Sequence, residues 1–115
     1  SRRFRFRMYF DSKCPHCNRM FTTLADLQAR GCFVEALQVD RDPSGVQGLP
    51  IPVRYASKEE LAERKIQSVP YLLVGDLKRK VVYPIQGYQS TDSIFQALSR
   101  IPTEATSEEG STAMN

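Results

Sequence analysis

The clearest pattern near the amino terminus is an alternation of apolar and polar side chains. Four apolar residues occupy every second position and are separated by arginine or tyrosine. A period of two places successive side chains on opposite faces of a sheet, so this pattern predicts a β-strand. The alternating apolar residues are Phe4, Phe6, Met8 and Phe10.

The periodicity then becomes helical. Apolar side chains between residues 15 and 30 recur at helical spacing, and Gly31 stands where a helix commonly ends. Residues 33–39 form a second β-rich run. A strand, a helix and a strand in this order usually form a right-handed crossover between parallel strands, which we expect here. The helical apolar positions are Met20, Phe21, Leu24 and Leu27.

The middle of the chain has a different composition. Residues 41–56 are rich in proline and glycine, so we predict a loop, and a loop of this length in a small domain commonly has a function. Ser57 and Glu60 then form a capping-box pattern, in which the serine caps a helix and the glutamate reaches back to it. This short helix should extend to about Arg64.

The last third of the chain predicts a hairpin and a helix. Residues 71–74 and 81–85 are β-rich runs separated by turn residues, which is typical of two antiparallel strands. A final helix should begin at Ser90 or Thr91 and end before Pro102. Its buried stripe should consist of Ile94, Phe95, Leu98 and Ile101.

These elements predict an α/β fold in the order β-α-β-loop-α-β-β-α, with a small mixed sheet covered by helices on both faces. The chain has 115 residues, 41% of them apolar and 25% charged, which fits one folded domain. We place this domain at residues 1–101 and expect the polar tail at residues 102–115 to be disordered. No apolar run approaches the roughly 20 residues that cross a membrane.

The amino terminus is basic. The chain begins Ser-Arg-Arg without an initiator methionine, so we expect a processed protein or a fragment of a longer one. The whole chain has a net charge of +3, and residues 1–30 hold more basic than acidic side chains. A nucleic-acid-binding hypothesis would rest on the arginines, but the sequence contains no recognisable aromatic stacking motif, and we expect no nucleic-acid partner. The arginines concerned are Arg2, Arg3, Arg5 and Arg7.

The strongest chemical signal is Cys14-Pro15-His16-Cys17 between a strand end and a helix start. The first turn of a helix presents unpaired N–H groups and about half a positive charge, which stabilises a thiolate and lowers its pKa. Pro15 suits that turn, and His16 adds to the effect when it is protonated or donates a hydrogen bond. We expect Cys14 to be the nucleophile, and either Cys17 or a second thiol of the substrate to resolve the mixed disulfide. Stabilising the thiolate favours the reduced pair and makes the protein an oxidant of other thiols.

Other readings of the cysteines are weaker. Half of a zinc site would need two more ligands, and only His16 and Cys32 remain, so we expect no metal. Haem attachment would need histidine after the second cysteine, where Asn18 stands. A structural disulfide over so small a loop would add little stability. We expect Cys32 to be a small core residue, and no bound cofactor, because the cysteine pair itself holds the electrons.

Pro70 precedes a predicted interior strand, which is an unusual place for proline. Either a cis Val69–Pro70 peptide bond or a trans proline at the strand start explains it, and the spacing leaves both open. A cis turn would expose the backbone groups of Val69 beside the cysteines, where a substrate strand could pair.

Together the Cys14–Cys17 motif after a strand, Val69-Pro70 before another and Gly87 before the last helix resemble the thioredoxin superfamily over residues 5–101. The Pro-His dipeptide and the valine before the proline are similar to DsbA-type periplasmic oxidants. This resemblance implies that Pro70 is cis and adjacent to the redox pair. It also implies that Val69, Pro70 and Tyr71, with the loop at residues 48–50, contact protein substrates.

A second similarity is to the TraF/TrbB group of conjugative transfer systems. It implies a periplasmic disulfide role in assembling a transfer apparatus, with an unidentified redox partner. The alternative is a non-enzymatic scaffold of such an apparatus. The similar stretches are Tyr9-Phe10-Asp11-Ser12-Lys13-Cys14, Gln38-Val39-Asp40, Gly48-Leu49-Pro50 and Gly87-Tyr88-Gln89-Ser90.

The sequence also departs from thioredoxin. Met8 occupies the position of thioredoxin's buried acid, which usually accepts the proton when the mixed disulfide is resolved. Glu35 and Asp40 are the candidate substitutes. Lys13 precedes Cys14 where thioredoxin has tryptophan, and its positive charge would further favour the thiolate. The first strand and helix of thioredoxin are absent or truncated.

Overall fold

The computed structural model describes residues 3–46 and 48–100, so the predicted tail and the predicted helix end at Ile101 and Pro102 lie outside the described residues. Within the described part, no helix is both long and apolar enough to cross a bilayer. The elements in chain order are β1 (Phe4–Phe10), α1 (Pro15–Ala29), β2 (Phe33–Gln38), a short 3-10 helix (Pro43–Val46), β3 (Val53–Tyr55), α2 (Lys58–Arg64), β4 (Tyr71–Asp76), β5 (Val81–Gln86) and α3 (Thr91–Ser99).

The strands form one mixed sheet in the order β3-β2-β1-β4-β5. β1 is parallel to β2, and β2 is parallel to β3, whereas β4 is antiparallel to both β1 and β5. The predicted parallel pairing of the first two strands, the hairpin and the mixed α/β class are therefore confirmed. In the parallel pair Arg5 lies opposite Phe33 and Phe10 lies opposite Gln38, so β1 and β2 end together where α1 begins.

The prediction of a loop over residues 41–56 was wrong in part, because this segment contains the 3-10 helix and β3. β3 is held at the edge of the sheet by bonds from Ala36 N–H to Pro52 O (3.0 Å) and from Ala56 N–H to Gln38 O (2.9 Å). A three-residue edge strand is too short to show a period of two, and its neighbouring prolines give a loop signal.

The capping box before α2 is half confirmed. Ser57 is the N-cap, and its hydroxyl accepts a hydrogen bond from Glu60 N–H over 3.0 Å. The Glu60 carboxylate, however, faces the sheet and accepts a 2.7 Å hydrogen bond from the hydroxyl of Tyr9. The prediction that Glu60 reaches back to Ser57 was therefore wrong, because a buried tyrosine hydroxyl needs this acceptor.

The core is divided between the two faces of the sheet. Phe6, Met8 and Phe10 of β1 belong to the larger cluster, which also contains the buried stripes of α1 and α3. Tyr9 belongs to a smaller cluster on the α2 face. The face of β1 that carries the arginines is therefore buried at its Tyr9 end. The larger cluster holds α1 against the ends of the strands and thereby fixes the position of its first turn.

Candidate active site

The sulfur of Cys14 lies at the amino-terminal end of α1. Cys14 is the N-cap residue with extended backbone angles, and Pro15 occupies the first helical turn, where its missing N–H costs nothing. The Sγ of Cys14 accepts a hydrogen bond from the backbone N–H of Cys17 over 3.1 Å. The sulfur therefore occupies the place that serine or aspartate oxygens take at other helix starts.

Cys14 and Cys17 are joined by a disulfide, and their exposure differs. Cys14 is partly exposed, whereas Cys17 is fully buried on the inner face of α1. A thiolate from solvent can therefore reach Cys14 and not Cys17. Cys32 is buried at 5% exposure in the larger core cluster, which confirms the expectation of a core residue.

The rim around Cys14 is exposed and basic. Lys13, Pro15 and His16 are all exposed. One turn along α1 the guanidinium of Arg19 stacks over the ring of Tyr88 at 4.1 Å. Sequence reasoning assigned no role to this stacked pair, because its two members are far apart in the chain.

The Val69–Pro70 peptide bond is cis, and it lies beside Cys14 as the resemblance implied. The carbonyl oxygen of Val69 is 3.9 Å from the Sγ of Cys14. The next carbonyl, that of Pro70, accepts a 3.0 Å hydrogen bond from Gly87 N–H, and the Gln89 carbonyl accepts a 2.9 Å bond from the Thr23 hydroxyl of α1. These bonds connect the proline loop, the loop before α3 and α1 into one site.

Unlike Val69, Tyr71 lies on the face of the sheet opposite to the cysteines. Its ring lies 6.4 Å from that of Tyr9, in the cluster on the α2 face of the sheet. Cys14 packs instead against the cluster on the opposite face. Val69 contacts both clusters, so the structure places Val69 and Pro70 at the disulfide and Tyr71 behind them.

The turn that leads into Cys14 is held by Asp40. The Asp40 carboxylate accepts hydrogen bonds from Ser12 N–H (3.0 Å) and from the Ser12 hydroxyl (2.5 Å). Burial opposes ionisation of Asp40, but the hydrogen bonds from Ser12 outweigh it and hold the pKa of this carboxyl below its ordinary value. The position of Ser12 two residues before Cys14 was the signal available in the sequence, and its partner was not predictable.

Neither candidate substitute for the buried acid is directed at Cys17. Glu35 lies on the α2 face and accepts a 2.7 Å hydrogen bond from Arg7 Nε, whereas Cys17 packs in the cluster on the other face. Asp40 is engaged by Ser12. Met8 lies in the core cluster with Cys17 and is fully buried. Among the residues that the structure describes, no three histidine, cysteine or acidic side chains are grouped to hold a metal ion.

Solved structures with the same architecture are numerous, although their sequences are distant. A secreted disulfide oxidoreductase of Mycobacterium tuberculosis, homologous to E. coli DsbE, matches with a TM-score of 0.71 at 13% identity over 86% of this chain and 82% of that chain. The exposed lipoprotein thioredoxin Etrx1 of Streptococcus pneumoniae gives 0.68 at 17% identity over 86% and 85%. A thioredoxin-family thiol:disulfide interchange protein of Chlorobium tepidum gives 0.66 at 20% identity over 84% and 78%.

No protein-family model and no curated protein sequence matches this chain. The similarity to solved structures nonetheless defines the architecture, and the chain has a thioredoxin-like fold. Fold alone does not assign an activity, and the chemistry of this chain depends on its cysteine site.

Proposed function

We propose that the protein is a thiol–disulfide oxidoreductase that exchanges disulfides with cysteine-containing protein substrates through Cys14 and Cys17. The observation that carries this proposal is the position of the Cys14 sulfur. It is partly exposed, bonded to the first turn of α1 and 3.9 Å from the Val69 carbonyl oxygen. A disulfide that served only to hold α1 would not need an accessible sulfur.

In the oxidising direction a substrate thiolate attacks the Sγ of Cys14 and forms a mixed disulfide with it. The bond between Cys14 and Cys17 breaks, and Cys17 leaves as a thiolate that takes up a proton. A second substrate thiolate then attacks the substrate sulfur of the mixed disulfide and releases the Cys14 thiolate. The substrate gains a disulfide, two electrons pass to the cysteine pair, and an external redox partner reoxidises it.

The surroundings of Cys14 favour this direction. The Cys17 N–H and the helix terminus stabilise negative charge on the released Cys14 sulfur, and Lys13 adds a positive charge nearby. His16 is exposed and can assist the same charge when protonated. Thiolate stabilisation of about 1.4 kcal/mol raises the reduction potential by about 30 mV, so a few such contributions give an oxidant or an isomerase.

Substrate contact should be made next to the Cys14 sulfur. We expect the Val69 backbone, with Pro70, to pair with an extended substrate segment while the substrate cysteine reacts, and the 3.9 Å between Val69 O and Cys14 Sγ supports this. Tyr71 and the loop at residues 48–50 remain predicted contacts. Backbone pairing recognises no particular side chain, so we expect a broad range of protein substrates.

The compartment and the clients are part of the proposal. We propose a periplasmic protein that serves a conjugative transfer or secretion apparatus. The oxidising chemistry suits a compartment in which disulfides persist. Two of the similar structures are of proteins described as secreted or as an exposed lipoprotein, which is consistent with such a location.

Paired assays of activity test the proposal. The oxidised protein should form disulfides in a reduced model protein faster than the same protein, once reduced by dithiothreitol, reduces insulin. Cys14→Ser should abolish both reactions, and Cys32→Ala should retain them, because Cys32 is buried away from the site. Absence of both reactions from the wild-type protein would leave the non-enzymatic scaffold as the better account.

A further inference from the structure

The face of the sheet that carries α2 is covered over only part of its length. Tyr9, Leu37 and Leu73 are buried in the cluster that α2 covers. Towards the start of β1 the same face is open, and a cavity of about 280 Å³ lies there, away from the disulfide. We call this region the open groove and define it by Arg5, Phe33, Arg64, Leu73, Gly75 and Val82.

The floor of the open groove is one row of residues that crosses four strands. Arg5 of β1 lies opposite Phe33 of β2 and opposite Gly75 of β4, and Gly75 lies opposite Val82 of β5. Because Gly75 has no side chain, the row has a hollow between Arg5 and Val82. A Cβ atom built at Gly75 would approach no neighbouring heavy atom closer than 3.9 Å, so this hollow has room for a side chain from outside.

The open groove presents apolar side chains to solvent on both sides of Arg5 and Gly75. Phe33 on β2 is 52% exposed, and Val82, which borders the hollow on β5, is 49% exposed. In the neighbouring row Leu73 is buried. The open groove therefore continues the covered apolar cluster out into solvent.

The open groove also carries positive charge that the fold does not neutralise. Arg7 and Arg54 share the carboxylates of Glu35 and Glu60. The two arginines that define the open groove are Arg5 and Arg64, and within residues 3–46 and 48–100 neither forms an ion pair with a carboxylate. The Arg5 guanidinium stacks over the ring of Phe33 at 4.9 Å.

We infer that the open groove is a docking site for an acidic amphipathic helix of a partner protein. An apolar side chain of that helix enters the hollow at Gly75, and its flanking carboxylates pair with Arg5 and Arg64. A helix suits this position because β1 and β4, which form the middle of the floor, are inner strands whose backbone groups are already paired within the sheet. A segment that lies over them can therefore make contact only through side chains. A helix covers a sheet face through side chains alone.

A second copy of this chain is a poorer occupant. A symmetric pair would bring the same surface of both molecules together and would place Arg5 and Arg64 of one against those of the other. Like charges opposed across an interface disfavour association.

The inference does not depend on the proposed redox function, because the open groove lies on the other side of the sheet from the cluster against which Cys14 packs.

The test uses the whole chain and a synthetic helical peptide of about 18 residues that has leucine at every third or fourth position and glutamate on both sides of the leucine stripe. Binding is followed by fluorescence anisotropy. Two control peptides replace either every glutamate with lysine or every leucine with serine. We expect the acidic amphipathic peptide to bind and both controls to bind at least about tenfold more weakly.

Protein variants then locate the binding. Arg5→Glu with Arg64→Glu should weaken the acidic peptide at least about tenfold and should let the lysine peptide bind. Gly75→Val, which fills the hollow, should weaken it without any change in charge. Lys58→Glu is the matched charge reversal on the exposed part of α2 and should leave the affinity unchanged.

Four results would overturn the inference. The first is equal affinity for all three peptides, and the second is retention of affinity in the doubly reversed variant. The third is a wild-type protein that dimerises in sedimentation experiments through the open groove. The fourth is an acidic peptide whose binding is lost in Arg19→Glu at the disulfide site rather than in the groove variants. Far-UV circular dichroism and thermal unfolding serve as the check that every variant is folded, and absence of disulfide exchange from the wild-type protein would count against the proposed function alone.

Discussion

The backbone N–H of Cys17 donates a hydrogen bond to the sulfur of Cys14 across 3.1 Å, within the same pair that the disulfide joins. One residue thus supplies both the leaving sulfur and the donor that stabilises the sulfur left behind. When the disulfide is reduced, the donor remains directed at Cys14 because it belongs to the backbone of α1. This arrangement gives the two cysteines different chemical roles.

The two cysteines should behave differently when each is replaced by serine. Cys14→Ser removes the accessible sulfur and should abolish exchange, whereas Cys17→Ser leaves Cys14 free to react and removes the group that resolves the product. Incubation of each variant with an oxidised model protein, followed by non-reducing electrophoresis, measures the trapped mixed disulfide. An adduct formed by Cys14→Ser but not by Cys17→Ser would reverse the assignment of roles.

Replacement of His16 should make the protein a weaker oxidant. His16 is exposed in the first turn of α1, where its positive or hydrogen-bonding form favours the Cys14 thiolate. We expect His16→Ala to lower the reduction potential of the pair by roughly 30 mV or more, equivalent to about a tenfold change in the equilibrium with glutathione. Lys58→Ala, an exposed change on α2, is the matched control. An unchanged reduction potential in His16→Ala would show that His16 does not stabilise the Cys14 thiolate.

Asp40 should stabilise the turn before Cys14 only while it is ionised. Its pKa is lower in the folded protein than in an unfolded chain, so its contribution is complete above the unfolded pKa of about 3.9 and is lost as the pH falls through the folded pKa. Asp40→Asn should cost about 1 kcal/mol of unfolding free energy at pH 7 and progressively less below pH 4. Urea denaturation at several pH values measures this. If Asp40→Asn lowers the unfolding free energy equally at pH 7 and in acid, the charge of Asp40 does not stabilise the turn.

A stronger acid-sensitive contact lies at the other end of the sheet. The side chain of Asp76 is fully buried, and its carboxylate accepts two hydrogen bonds from the Arg3 guanidinium, at 3.0 and 2.8 Å. Burial opposes its ionisation, but Arg3 and two backbone N–H groups outweigh that effect and hold the pKa of Asp76 below its ordinary value.

Asp76→Asn should therefore lower the free energy of unfolding by about 3 kcal/mol at pH 7, because it removes the buried carboxylate that forms an ion pair with the Arg3 guanidinium. The folded pKa is the lower one, so the difference between wild type and variant should shrink as the pH falls below about 4. Arg3→Gln is the reciprocal variant and should reproduce this pH dependence. A difference that persists undiminished in acid would contradict the ionised pair.

Much of the fold follows from local patterns in the sequence. The alternation over β1 and the helical spacing of Leu24 and Leu27 carry strong periodic signals, and Gly31 with its φ of 92° ends α1 where expected. β3 could not be predicted, because it is a strand only through its pairing with β2. The burial of Tyr9 also depends on a distant element, since α2 supplies both its cover and the acceptor Glu60.

The site divides in the same way. Cys14, Pro15 and Cys17 are close in sequence, and their arrangement follows from where a strand ends and a helix starts. Val69 could be placed beside them only through a family resemblance, because no local rule brings residues so far apart together. The open groove carried no sequence signal at all. Its hollow exists because Gly75 lies between Arg5 and Val82 in the register of three separate strands.

The central claim is that the Cys14 sulfur ionises readily at the start of α1, and alkylation of the reduced protein measures it most directly. The rate of reaction of Cys14 with iodoacetamide should be followed against pH in Cys32→Ala, with mass spectrometry to identify the modified residue. We predict that Cys14 reacts first and that its rate rises with a midpoint more than about one pH unit below that of a free thiol. A midpoint near 8.5, the value of an unperturbed cysteine, would contradict the account.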